Sequence, residues 1–220
     1  MGTVVETYLR ERGITAWRDC TALRFHPRCH YRQDGEALAR TRTDWPALVA
    51  SITDVNGTMT GAHRTWLDPS GRTKAPVATP RRAMGHLLGN AVRFGGALDV
   101  MAAGEGIETM LSLRSVMPTL PMAAALSANH LAALVLPPTL RRLYIARDND
   151  PAGQRALDVL AERAQGGGIE ALALAPTLDD YNDDLRQLGP DALALAIRVQ
   201  LVPEDVAQFW RPPERGGQER

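Results

Sequence analysis

The 220-residue chain is poor in cysteine, in lysine and in net charge, and each shortage narrows what it can be. Only Cys20 and Cys29 are present, too few for a disulfide framework and in keeping with a reducing cytoplasm. Lys74 is the only lysine among 25 basic residues. A GC-rich genome produces such an arginine bias, and it leaves a single ammonium side chain to follow. Formal net charge is zero, so the molecule does not grip nucleic acid as a polycation, although the charges are uneven enough for a local basic face. The opening MGTVVETYLRERG is charged and lacks the apolar core of a secretory signal. The run MAAALSANHLAALVL is interrupted by Asn129 and His130 and stops at Pro137 and Pro138, too short for a membrane span. What is present, 45% hydrophobic and 23% charged residues, is ordinary for a soluble globular chain of one large domain or two small ones.

The pattern changes near residue 97. Before it, residues 3–13 suit a short helix closed by Gly13, and LRFHPRCHYR belongs to a loop-rich stretch. ALVASIT (47–53) has the character of a buried strand, and Asp54-Val55-Asn56-Gly57 is a hairpin turn into the return strand TMTGAHRTWLD. Asp68 to Gly71 form another turn, which leads into the Lys74 segment. These features predict a small α+β unit over residues 1–96. Beyond it, LDVMAAGE, PMAAALS, LRRLYIA and IEALALA are strand-like. The segments between them, including IETMLSLRSVM and PAGQRALDVLAERAQ, are helical. Such alternation predicts an α/β unit over 97–190 with a parallel sheet flanked by helices. Residues 191–220 are expected to add one or two helices and a disordered tail, RPPERGGQER.

In a parallel sheet, ligands sit at the carboxyl ends of the strands. Three acidic segments fall there. Asp148 and Asp150 follow the strand ending at Ala146, and alternate carboxylates at a strand end can meet one hard cation. Asp150 before Pro151 is equally suited to cap the next helix, and Gly153 allows close backbone approach. Glu105 stands between Gly104 and Gly106 at another strand end, accessible as a metal ligand or as a general acid/base, whereas Glu108 suits the N-terminus of the following helix. LDDYNDDL supplies four more acids. Asp180 and Asp183 are candidate metal ligands there, and a solvated loop is the alternative for at least two of the four.

A strand-end glutamate, a later Asp-x-Asp and a further acidic loop, in that order over about residues 97–185, resemble the Toprim domain of primases, topoisomerases, nucleases and recombination proteins. The resemblance implies Glu105 as the catalytic acid/base, Asp148 and Asp150 as metal ligands, and Asp180 and Asp183 near a further acidic pair. Upstream, Asp54, Gly57, Gly61, Arg64 and Lys74 match the turn, strand and lysine loop that precede Toprim in bacterial DnaG-like primases. LRFHPRC, HRTWLD, KAP and GEGIET resemble phage and plasmid primases of mobile genetic elements. What this implies is a nucleotidyltransferase that makes short RNA primers on single-stranded DNA from NTPs, with Mg²⁺ or Mn²⁺. Arg64 and Lys74 would contact nucleotide or template, and Arg81, Arg82 and Arg93 would form an arginine-rich template face. No zinc is expected, because Cys20, His26, Cys29 and His30 match no zinc spacing. A helicase or zinc-finger partner would supply what such primases otherwise carry. A Toprim nuclease and a non-catalytic nucleic-acid-binding remnant are the alternatives.

Overall fold

A computed structural model of the protein describes residues 2–32, 43–96 and 99–210. The tail expected at 211–220 and the first residues after the pattern change, 97 and 98, lie outside them. The chain opens with α1 (Val4–Arg10), started by the Thr3 hydroxyl, which accepts the Glu6 N–H at 3.2 Å. Four antiparallel strands follow: β1 (Leu23–His30), β2 (Asp44–Thr53), β3 (Met59–Trp66) and β4 (Arg81–Gly85), in spatial order β1-β2-β3-β4. The β2–β3 turn is closed by Asp54, whose Oδ1 accepts the N–H groups of Asn56 and Thr58 at 2.9 Å each.

Here the loop expected through LRFHPRCHYR is corrected: most of it is β1, paired with β2. Pro27 cannot donate to a ladder. β1, however, is an edge strand, and its register slips between His26 and Cys29 around the proline. RRAMG, not anticipated as a strand, is β4. Its apolar content is low because it too is an edge, largely exposed.

The second sheet has β5 (Val92–Phe94), β6 (Val100–Gly104), β7 (Met122–Ala124), β8 (Arg142–Ala146) and β9 (Glu170–Leu174), in order β5-β7-β6-β8-β9. β7, β6, β8 and β9 are parallel, whereas β5 runs antiparallel along the edge. The last residues of the parallel strands are in register, Ala124 with Gly104, Gly104 with Ala146, and Ala146 with Leu174. The chain therefore leaves all four strands on one line.

Helices cover both faces. α2 (Ile107–Val116), α6 (Pro190–Arg198) and α7 (Pro203–Phe209) pack on one side in a core that also takes Val5 and Leu9 of α1 and Leu48 and Ile52 of β2. α3 (Ala128–Ala132) and α4 (Pro151–Gly166) cover the other, over Ala103, Leu143 and Ile145. The first core spans both sheets, which sets the N-terminal sheet against the second one. Phe25, 36% exposed, and the other residues of β1 outside it leave that strand marginal to this packing.

At the opposite end of β8, buried Arg142 donates to Asp205 at 2.9 Å and to Glu170 at 2.7 Å. The Tyr144 hydroxyl donates to the same Asp205 oxygen at 2.6 Å. This polar knot fastens α7 to the sheet. No described helix is long and apolar enough to cross a membrane.

Candidate active site

A cleft of about 700 Å³ opens at the aligned strand ends, between the two sheets. Glu105 follows β6 directly and Asp148 stands two residues beyond β8, so neighbouring strands deliver them to one wall together with Asp180 and Asp183. The site is held by backbone geometry. A methyl group on Gly153 would lie 2.5 Å from the Asp148 carbonyl oxygen, so only glycine lets α4 start this close behind the acid. Asn149, the middle residue of Asp-Asn-Asp, ties the acidic loops together. Its N–H donates to the Asp179 carbonyl at 2.9 Å, and its side-chain amide reaches the Leu178 carbonyl at 3.4 Å.

The acids crowd one another. Burial, and then the charges of Asp148 and Asp150, push the Glu105 carboxyl up to about 7. Burial, Asp180 and Asp150 raise Asp148 to about 6, and the nearby Thr109 hydroxyl offsets part of that. Glu105 Oε1 and Asp148 Oδ1 are buried without a hydrogen-bond partner. A buried carboxylate oxygen without a donor is costly, and a hard cation relieves both that cost and the mutual repulsion. The donor set therefore fits a divalent ion such as Mg²⁺. Among the described residues no group of three or more His, Cys, Asp or Glu is placed to hold an ion by itself.

The remaining acids divide. Asp150 Oδ1 accepts the Gly153 N–H at 2.7 Å and caps α4, so the capping role applies, while its charge still acts on Glu105 and Asp148. Asp180 caps the short helix α5 (Tyr181–Asp183) through the Asp183 N–H at 2.8 Å. Asp184 begins a π-helical turn (Asp184–Leu188) and is buried, accepting the Thr177 and Leu178 N–H groups at 2.8 Å each. A solvated loop does not describe it: Asp184 stitches its own segment together.

Facing the acids is a basic wall. Lys74, Arg12, Arg81, Arg82, His63 and Arg186 border the cleft. In β3 and β4, Thr65 pairs with Arg81 and Arg64 with Arg82, and neighbours along a strand point to opposite faces. Arg81 belongs to the face of His63, toward the cleft. Arg64 and Arg82 lie on the other face, stacked on buried aromatics: Arg64 Cζ is 4.8 Å from the Trp66 ring centre and Arg82 Cζ 4.7 Å from that of Tyr31. Arg82 also donates to the Tyr31 hydroxyl at 3.0 Å. Arg64 does not border the cleft. Neither does Arg93, which lines a separate one and donates to the Asp54 carbonyl at 3.1 Å. Its expected place on one face with Arg81 and Arg82 is thus corrected. It sits in β5, the edge strand of the other sheet.

Cys20 is buried in the main core and Cys29 under the N-terminal sheet, whereas His26 and His30 are exposed on β1. His63, Thr109 and Asn182 reach the cleft from within HRTWLD, GEGIET and LDDYNDDL, where only their neighbours were singled out, and Arg12 and Arg186 come from segments that carry no local motif. Thr109, four residues beyond Glu105 and one helical turn away, is the one that helical spacing could have indicated. Burial lowers His63 to about 4, so it lines the basic wall without adding charge at neutral pH.

The Toprim domain family matches residues 100–191, which hold β6 to β9 and Glu105, Asp148, Asp150, Asp180 and Asp183. The chain carries a Toprim domain. A domain of unknown function (DUF7146) matches residues 1–94, and no curated protein sequence matches the chain. Among solved structures, the Aquifex aeolicus primase (zinc-binding and RNA polymerase domains) superposes with a TM-score of 0.57 at 17% identity, over 92% of this chain and 57% of that one. The RNA polymerase domain of Mycobacterium tuberculosis primase DnaG, with a DNA oligomer, gives 0.52 at 16% identity over 88% and 72%. The primase fragment of the bacteriophage T7 primase-helicase gives 0.50 at 16% over 72% and 63%. The chain thus corresponds to about three-fifths of the Aquifex and T7 chains. These likenesses establish a primase-type fold, with an antiparallel sheet before the Toprim sheet.

Proposed function

We propose that the protein is a primase-like nucleotidyltransferase that joins NTPs into short RNA on single-stranded DNA, in the cytoplasm. The observation that carries the reading is the pair of facing walls: partnerless oxygens of Glu105 and Asp148 on adjacent strand ends, with Lys74 and Arg81 across the cleft. Acids alone would serve many metal sites. Acids opposed by a lysine and arginines suit a triphosphate with its metal ion.

Asp148, Asp150 and Glu105 would hold Mg²⁺ or Mn²⁺, with Asp180 and Asp183 in reach of a second ion or its water. When bound, the ion neutralises phosphate charge and lowers the pKa of the attacking hydroxyl. Glu105, at the end of β6, is placed to take the proton of a primer 3′-hydroxyl as its oxygen bonds to the α-phosphorus and pyrophosphate leaves. Lys74 and Arg81 stabilise the charge that develops on the phosphates. Arg64 and Arg82, fixed on Trp66 and Tyr31, offer a rigid track for template phosphates, which makes binding salt-sensitive. In this reading residues 1–96 form the template- and nucleotide-binding subdomain, 97–190 the catalytic domain and 191–220 a C-terminal extension. A separate helicase or zinc-finger protein selects the start site, and the gene belongs to a mobile element.

The test is incubation with single-stranded DNA, labelled NTPs and Mg²⁺ or Mn²⁺. Labelled oligomers that vanish with Glu105→Gln and Asp148→Asn support the reading. Shortened DNA replaces it with a Toprim nuclease, in which water is the nucleophile. Retention of DNA without turnover replaces it with a binding protein.

A further inference from the structure

Lys74 is held by more than its own loop. An isolated bridge pairs it with Leu67, and the Ala75 N–H donates to the Trp66 carbonyl at 2.9 Å. The turn before it presses on α1. Gly71, with φ of 73°, leaves its missing side chain 2.8 Å from the Val4 carbonyl and from Thr7 Cβ, so no larger residue fits. From the other side of the cleft, Glu108 in the first turn of α2 reaches the same place. Its Oε1 accepts the Tyr8 hydroxyl at 2.7 Å and pairs with Lys74 Nζ at 3.6 Å. One carboxylate oxygen therefore joins α1, the Lys74 loop and the Toprim domain. The side chains of Glu108 and Lys74 are 14% and 29% exposed, far from a loose surface pair.

We propose that Glu108 is a positioning residue, which with Tyr8 holds the Lys74 ammonium at the mouth of the acidic cleft so that it meets the phosphates of a nucleoside triphosphate. This rests on the function proposed above, in which Lys74 contacts phosphate. An ammonium has three donors on a flexible stem, and the 3.6 Å ion pair with Glu108 aims the group while leaving donors for phosphate oxygens. The surroundings require such an anchor. Arg12, whose Cζ lies 3.7 Å from the Tyr8 ring centre, Arg81 and the neutral His63 also face Lys74. Without Glu108, three cations would crowd one another and Lys74 would swing toward solvent. Burial lowers the Lys74 pKa, and the Glu108 charge opposes that loss. Lys74 and the Tyr8 hydroxyl in turn keep the Glu108 carboxyl below the usual range despite its burial.

Because Lys74 is the only lysine, its position can be read directly. Incorporation of ¹³C,¹⁵N-lysine labels Lys74 alone and leaves its three donors intact, giving one Cε–Nζ NMR signal. ATP without metal is the probe, with binding followed by calorimetry. In the unaltered protein, ATP shifts the Lys74 signal. In Glu108→Gln, the Lys74 signal moves to a solvent-exposed value, and ATP affinity falls about tenfold, the size of one charge-assisted contact. Tyr8→Phe leaves the carboxylate in place, and a smaller displacement of the same signal is expected. It carries the test if Glu108→Gln does not fold. A Lys74 signal and an ATP affinity that respond identically in all three proteins overturn the inference alone. A Lys74 signal that ATP does not shift in the unaltered protein overturns the phosphate role of Lys74 and the inference with it.

Discussion

Replacing Glu105 by glutamine is expected to stabilise the metal-free protein at pH 8 while abolishing its activity. Burial and the neighbouring acids Asp148 and Asp150 raise the carboxyl from its ordinary 4.5 to about 7. A carboxyl raised in the folded state binds its proton more tightly there than in the unfolded chain. Its favourable contribution is therefore complete below about pH 4.5 and is lost as pH rises through about 7. At about 1.36 kcal/mol per pH unit, the displacement corresponds to about 3 kcal/mol at pH 8. Solvent screening at this half-exposed group reduces the expected gain to about 1–2 kcal/mol. In a chain of this length that is about 3–6 °C in Tm. Urea and thermal unfolding in EDTA at pH 5 and pH 8 measure it. The glutamine variant should be more stable at pH 8 and nearly equal to the parent at pH 5. Saturating Mg²⁺ should stabilise the parent at pH 8 and reverse the order, since binding to the folded state alone adds stability. Equal or lower stability of the variant at pH 8 in EDTA, or a gain as large at pH 5, would refute the picture of Glu105 as a carboxylate strained by its neighbours.

Two further outcomes are expected. Gly153→Ala places a methyl group 2.5 Å from the Asp148 carbonyl, so α4 and the Asp148 loop must separate. Mg²⁺ affinity by calorimetry should fall at least about tenfold, as for a displaced ligand support, although alanine favours helix elsewhere; unchanged affinity means the loop yields at no cost. Asp205→Ala strands buried Arg142 and the Tyr144 hydroxyl. It should cost about 2–4 kcal/mol in urea unfolding, below the full value of a broken buried pair because Glu170 still holds the guanidinium. A loss under about 1 kcal/mol would show that α7 is not fastened by this knot.

Much of the Toprim half was legible in the chain itself. β6, β7 and β8 are short, almost wholly apolar runs buried on both faces, and Glu105 and Asp148 follow β6 and β8 within two residues. Glu105 and Asp148 were visible for that reason: a charge ending a buried strand has few places to go. The N-terminal half was harder to read. β1 carries a proline, β4 carries two arginines and two largely exposed ends, and both are edges whose outer backbone needs no partner. Edge strands are under weak compositional constraint, so pattern alone misassigns them.

The acidic loop shows the same division within a single segment. Four acids in LDDYNDDL look alike in sequence, but Asp184 is consumed by two backbone donors and Asp180 caps a helical turn while facing the cleft. Which carboxylate is structural depends on which N–H groups the folded backbone brings near it, and spacing does not carry that information.

What the sequence by itself determined was the order of elements and the chemistry available: a strand-end glutamate, an Asp-Asn-Asp, an acidic loop and one lysine. What only the tertiary structure decided was which charges meet. Parallel pairing in register set Glu105 beside Asp148 although their strands' ends, Gly104 and Ala146, are 42 positions apart in the chain. The shared core of the two sheets then brought Tyr8, Lys74 and Glu108 to one oxygen atom. Strand endings follow from local apolar content, whereas the meeting of distant charges follows from how two sheets bury their common core.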